Sequence, residues 1–355
     1  MLGSFRVLFL TAILLAAFTR CDPANEEGAG IPSPADPEVD EAYFKAIVLQ
    51  EPYDEVLYDT INHFLYVADR NAGSMVCYDY VRHKVVAKIP KDFYIDDYAV
   101  AIFADRERSE VFFGRGKSVD VYQGGTLEFQ RSITVFADDD SRFVTSLEVP
   151  NRDILVVGSC NNGSSLSDKT GTLTINLTTD RPIDQAAYGD NCLRIRSATQ
   201  PDGSFRIVGV GYATSRPNVV SDAYAADGQL IASTLDYPGD IQTSLHLLKT
   251  HPAVDYFITS DYGNRFSKDS LTYAGTLNGS FQDFAFDRSG DRLYALTRSG
   301  QITVLNARTF TVQKTIPLPR PARRIFLDSD RLVVVYFEQQ SSGTLMDVYL
   351  SALEP

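Results

Sequence analysis

The chain has 355 residues, 44% of them apolar and 22% charged, enough to bury a sizeable core and too apolar for bulk disorder. Its 33 basic and 46 acidic side chains leave a formal net charge of -13, which repels phosphate backbones and excludes nucleic acid as a partner. With no Trp and only 4 His, the side-chain inventory for metal and general-base chemistry is thin.

Residues 1–20 open with Arg6 and continue as an apolar run from Val7 to Phe18. That run is short of the ~20 residues a membrane-spanning helix needs, and it suits the core of an export signal. Residues 21–41 start at Cys21 and carry Pro32, Pro34 and Pro37 among acidic residues without apolar periodicity. They read as a disordered acidic tether. The folded body is expected over 42–355.

Cys21 directly behind the apolar run resembles a bacterial lipoprotein signal, with Arg20 and Phe18 where that signal carries a small residue and commonly Leu. The resemblance implies that Cys21 is lipidated and becomes the mature N-terminus. It also implies an address in the bacterial cell envelope, on the periplasmic or surface face. If Cys21 is not lipidated, ordinary signal cleavage makes the protein secreted.

The body leans toward strand, with 21 Phe and 19 Tyr and no convincing helical stretch. Tyr43–Gln50 alternates as a strand without an evident partner. After it, Phe64-Leu-Tyr-Val-Ala-Asp69 leads through a Gly-bearing turn to Ser74-Met-Val-Cys-Tyr-Asp79, then to Lys84-Val-Val-Ala-Lys-Ile-Pro90. Far downstream, Arg292-Leu-Tyr-Ala-Leu-Thr297, Gln301-Ile-Thr-Val-Leu-Asn306 and Thr311-Val-Gln-Lys-Thr-Ile-Pro317 repeat that order. Each set, with the strand before it, describes one propeller blade of four antiparallel strands.

The second strand of this pattern recurs as Glu110–Gly114, Asp153–Gly158, Phe205–Val210, Asp255–Thr259 and Arg331–Tyr336. The mean spacing of about 45 residues is that of propeller repeats. The segment before Phe281 shows no clear fourth strand, and the last unit offers three strands. The expected fold is therefore an all-β, seven-bladed β-propeller of four-stranded blades, with Tyr43–Gln50 completing the last blade and removing an open edge.

The stretch Phe64–Asp79 with Lys84–Pro90 resembles the YVTN-type β-propeller repeat. Asp69 stands where that repeat has Asn, and Tyr78 where it has an aliphatic residue. Members of that family are seven-bladed surface or periplasmic proteins with diverse roles, so the resemblance implies a fold and not an activity.

Cys160 and Cys192 follow and precede strand-like runs beside Asn- and Gly-rich loops, so a disulfide between adjacent blades is one reading and two free thiols the other. Cys77, inside an alternating strand, reads as a small buried apolar residue. No Cys or His spacing matches a zinc site, and Asp138-Asp-Asp140 lacks the Asp-x-Asp-x-Asp-Gly order of a calcium loop. No metal ligand is assigned.

Inner strands line a propeller channel, which makes His246, Asp240, Asp283, Arg194 and Arg324 the channel candidates. Arginines there either grip an anion or pair with the abundant Asp and Glu. Asn162-Gly-Ser, Asn176-Leu-Thr and Asn278-Gly-Ser fit the glycosylation sequon, and equally fit turns.

Two functions follow. The first is a monomeric, non-catalytic binding or scaffold module without cofactor, engaging a protein or glycan partner and touching membrane only through the N-terminal lipid. The second is a lactonase-like hydrolase, which requires Asp240, His246, Asp283 and Asn191 to converge on a channel metal. A quinone-dependent dehydrogenase is weaker still, since those propellers resemble Trp-rich chains and this one has none.

Overall fold

The computed structural model describes residues 56–353 except 70–73, 80, 83, 90–97, 105–108, 138–140, 162–169, 190–191, 213–216, 242, 244–246, 260–261, 278, 320, 329–330 and 340–345. The expected signal (1–20), Cys21, the tether (21–41) and the strand Tyr43–Gln50 lie outside the described residues, as do His246, Asn191 and Asp138–Asp140. All the described strands belong to the unit Asp40–Pro355.

Each sheet is an antiparallel meander of strands consecutive in sequence. The first holds β1 (Val56–Asp59), β2 (Phe64–Asp69), β3 (Ser74–Asp79) and β4 (Lys84–Ile89). The next holds β5 (Tyr98–Ala104), β6 (Ser109–Arg115), β7 (Ser118–Gln123) and β8 (Phe129–Thr134). Then come β9 (Arg142–Asn151), β10 (Ile154–Asn161), β11 (Thr170–Asn176) and β12 (Arg181–Gly189), followed by β13 (Cys192–Thr199), β14 (Phe205–Tyr212), β15 (Pro217–Tyr224) and β16 (Leu230–Asp236). The fifth holds β17 (Leu248–Thr250), β18 (Phe257–Thr259), β19 (Asn264–Phe266) and β20 (Tyr273–Thr276). The sixth holds β21 (Phe281–Phe286), β22 (Arg292–Thr297), β23 (Gln301–Asn306) and β24 (Val312–Pro317). A last sheet contains only β25 (Ala322–Asp328), β26 (Arg331–Gln339) and β27 (Met346–Leu353).

This corrects the expected ring of seven four-stranded blades. Six blades are four-stranded, and β25–β27 stops at three strands among the described residues. The N-terminal strand expected to complete it is not among them. Conversely, the segment before Phe281 does supply a fourth strand, β20, paired with β19.

The core lies between blades rather than inside one sheet. On β10, Leu155 and Val157 join Phe112, Val119 and Val121 of the preceding blade. Their neighbours Ile154 and Val156 join Leu193, Ile195, Ile207 and Val220 of the following one. A strand buried on both faces reads as a continuous apolar run, whereas outer strands lose one face to solvent. β10 is buried over its first seven residues, whereas β4 and β24 have no fully buried residue.

Between the last sheet and the first, polar and aromatic contacts do the joining. The Tyr58 hydroxyl donates to Asp328 Oδ2 at 2.8 Å, and His63 Nδ1 lies 2.9 Å from the same oxygen. The Tyr58 ring stacks on Phe326 with centroids 5.7 Å apart.

Candidate functional site

The inner strands carry a belt of side-chain hydrogen bonds from blade to blade. Glu148 on β9 accepts from the backbone and hydroxyl of Ser197 on β13 at 3.1 and 2.7 Å, and pairs with Arg196 at 2.9 Å. Thr250 on β17 donates to the Ser197 carbonyl at 3.0 Å. Asp283 on β21 takes Lys249 of β17 at 3.2 Å on one oxygen and the Ile325 backbone N–H of β25 at 3.0 Å on the other.

Those contacts locate the channel candidates. Asp283 is 1% exposed and tied to both flanking inner strands, a position that holds blades together. Arg194 on β13 and Arg324 on β25 are half-buried, and Arg324 donates to the Arg323 carbonyl at 3.0 Å. Asp240, in the connection between β16 and β17, is exposed. The two carboxylates therefore belong to different arrangements, and His246 and Asn191 lie outside the described residues. Among the described residues, no group of three or more His, Cys, Asp or Glu could hold a metal ion.

The Cys160 and Cys192 sulfurs are within bonding distance, with Cα atoms 4.1 Å apart across 32 residues of sequence. Cys160 is on the β9–β12 blade and Cys192 opens the β13–β16 blade. At the outer edge of the same pair of blades, Asp222 on β15 is fully buried. It accepts from Thr172 of β11 at 2.7 Å and from the Tyr188 hydroxyl of β12. Burial pushes the Asp222 carboxyl above its usual range, against the lowering effect of those hydroxyls. Burial likewise raises the Tyr188 and Tyr224 phenols, so both remain donors at every physiological pH.

Asp240 itself lines a cleft of about 600 Å³ with Ile241, Tyr262, Asn264, Tyr273, Thr276 and Gly279. The walls come from the β16–β17 connection, the β18–β19 turn and β20. Tyr262 is 51% exposed and Tyr273 is 40% exposed, while Asn264 at the base is 6% exposed.

Local chemistry fixes both tyrosines. The turn after Tyr262 needs Gly263 at φ +69°, where a Cβ would sit 2.9 Å from the Leu277 side chain. The Thr276 hydroxyl donates to the Tyr262 carbonyl at 2.7 Å and holds the turn on β20. Tyr273 leans on Phe266 with centroids 5.6 Å apart, and Phe266 stacks on Phe257 at 5.5 Å, a ladder from core to cleft.

Sequence reasoning reached Asp240 and missed the rest. Tyr262 sits in a Tyr-Gly-Asn turn and Tyr273 on a short strand. Neither carries a signal distinguishing a ligand-facing ring from an ordinary surface one.

No protein-family model matches the chain, and no curated protein matches it by sequence. Solved structures do. One, a crystal structure of BBS1N in complex with ARL6DN, is 13% identical with a TM-score of 0.59, covering 89% of this chain and 97% of that one. Another, the WD40 repeats of RRP9, is 10% identical with a TM-score of 0.58, covering 86% and 97%. The chain is thus a β-propeller distantly similar to WD40-type propellers, and at these identities the likeness carries the fold alone.

The expectation of a bacterial lipoprotein with a signal peptide, lipid-anchored or secreted, is corrected. Neither of these two structures is a bacterial envelope protein. The sequence pattern behind that expectation is also the one that Arg20, a charge where a small residue belongs, breaks.

Proposed function

We propose that this chain is a non-catalytic scaffold that binds a protein partner at the end of the propeller carrying the β18–β19 turn. The cleft carries the reading: Tyr273 on its aromatic ladder and Tyr262 on a turn held by Thr276, both half-exposed beside an exposed carboxylate, form a preorganised contact surface. The hydrolase alternative is not favoured, because Asp283 is engaged between blades and no metal-holding group occurs among the described residues. The structure of BBS1N with ARL6DN, a propeller of this kind in a complex, supports the partner reading.

Three narrower points belong to the same proposal. The propeller domain runs over 42–355 behind an acidic tether at 21–41. Its β1–β4 and β21–β24 blades are YVTN-type repeats, supported by Phe64–Pro90 and Arg292–Pro317. Cys160 and Cys192 form a disulfide, supported by their adjacency.

Site-specific photocrosslinking tests the reading. A benzoylphenylalanine in place of Tyr262 should trap a discrete protein partner in the native host. The same probe in place of Asp202, exposed at the opposite end of the strands, should not. Equal crosslinking at both positions, or none at either, rejects a binding face at the β18–β19 end.

A further inference from the structure

We infer that the cleft receives a lysine or arginine side chain presented by the partner, an inference that rests on the binding reading above. Among the described residues, Asp240 is the only charged side chain lining the cleft, no ion pair engages it, and no Lys or Arg lines the walls. The chain as a whole carries a net charge of -13, so an anion entering the cleft is repelled and a cation attracted.

The walls fit the same ligand. Tyrosine ring faces are electron-rich and attract ammonium and guanidinium groups placed over them. Tyr262 and Tyr273 both offer exposed ring surface to the cleft, and Tyr273 is braced by Phe266. Ile241 gives apolar surface for the methylene stem that both basic side chains carry. A volume of about 600 Å³ admits one long side chain with part of its flanking backbone.

The experiment is fluorescence polarisation with the full chain. The probe is a labelled peptide Gly-Ser-Lys-Ser-Gly-Lys-Ser-Gly, set against the same peptide with both lysines acetylated. The lysine peptide should bind, and the acetylated one about tenfold or more weakly, because acetylation removes the charge and keeps the stem. Tyr262→Ala and Tyr273→Ala should each weaken binding about threefold, the scale of one exposed cation–aromatic contact. Asp240→Asn should weaken binding and flatten its dependence on salt.

Asp227→Asn removes the same charge from the opposite end of the blades and should have little effect. Equal losses from the Asp240 and Asp227 variants, with no loss from the tyrosine variants, overturn the inference in favour of general attraction to an acidic protein. Equal binding of the acetylated peptide overturns it too. Displacement by maltohexaose makes the cleft a neutral glycan site and likewise overturns it. A partner trapped at Tyr262 without peptide binding ends the cationic inference and leaves the scaffold standing, whereas failure of both ends both.

Discussion

Two buried side chains show how single residues are set by their surroundings. Cys77 is fully buried and free, and burial pushes its thiol up to about 12. Thiolate is the reactive form, so native Cys77 should not react with a disulfide reagent at pH 8. In a Cys21→Ser variant, thiol titration should count none in the native state if Cys160 and Cys192 are bridged. After unfolding without reductant it should count one if Cys160 and Cys192 are bridged and three if they are not. His251 is buried with its tautomer assigned by geometry: Nδ1 accepts from the backbone of Ala253 and Val254 at 2.9 and 2.7 Å, and Nε2 donates to the Gly290 carbonyl at 2.7 Å. Gly290, at φ +75°, has no Cβ because one would sit 2.6 Å from the His251 ring. Burial holds the His251 pKa below its ordinary value. The unfolded chain therefore takes up the proton first, so the stabilisation is complete above about pH 6.5 and declines as pH falls below it toward the folded pKa. Urea midpoints should fall between pH 7 and 5 in the wild type. The same step should be missing from His251→Asn, which is less stable throughout.

At the scale of strands, burial decides what the sequence reveals. Every run singled out as a second strand, from Phe64–Asp69 to Arg331–Tyr336, is the second strand of a sheet, because both its faces meet neighbouring blades and the apolar run is unbroken. β20 was illegible for the opposite reason: Tyr273–Thr276 has no fully buried residue, so no pattern marks it. The seam between the β9–β12 and β13–β16 blades was equally silent, since Asp222, Thr172 and Tyr188 are scattered in sequence and meet only when two blades stack. Asp222→Ala leaves the Thr172 and Tyr188 hydroxyls without their acceptor and should cost about 2–4 kcal/mol in urea unfolding. Asp222→Asn keeps an acceptor and should cost less. The raised carboxyl pKa means that the wild type's contribution from this group is complete below the ordinary Asp value and lost as pH rises through the folded pKa. The stability of Asp222→Asn relative to wild type should therefore improve with rising pH, and a constant difference would refute the raised pKa.

For the whole molecule, the open question of any propeller is how the last blade meets the first. Among the described residues, Asp328 answers it, gathering Tyr58 and His63 from the first blade while Phe326 stacks on Tyr58. Asp328→Ala should cost about 1–3 kcal/mol through the buried Tyr58–Asp328 hydrogen bond it removes, allowing for a His63 side chain that is 40% exposed. The loss should be largest at this seam, read as faster amide exchange in β1 and β25 than in β13. Uniform exchange across the strands would show that closure does not depend on these contacts.

Much of the architecture was determined by the sequence alone: an all-β repeat of short strands, the position of each second strand, and the three strands of the last sheet. Local patterning is enough for that, because apolar runs and turn residues act within a dozen positions. The candidate site was legible only at Asp240. Tyr262, Asn264 and Tyr273 become a cleft because a φ +69° glycine turn, a short outer strand and an interblade connection meet in space. Likewise Asp283 reads as a channel carboxylate in sequence, but in the fold it is taken up by Lys249 and the Ile325 backbone. Only tertiary structure could decide these points, since a buried charge is assigned by the partners that neutralise it, and here those partners come from other blades.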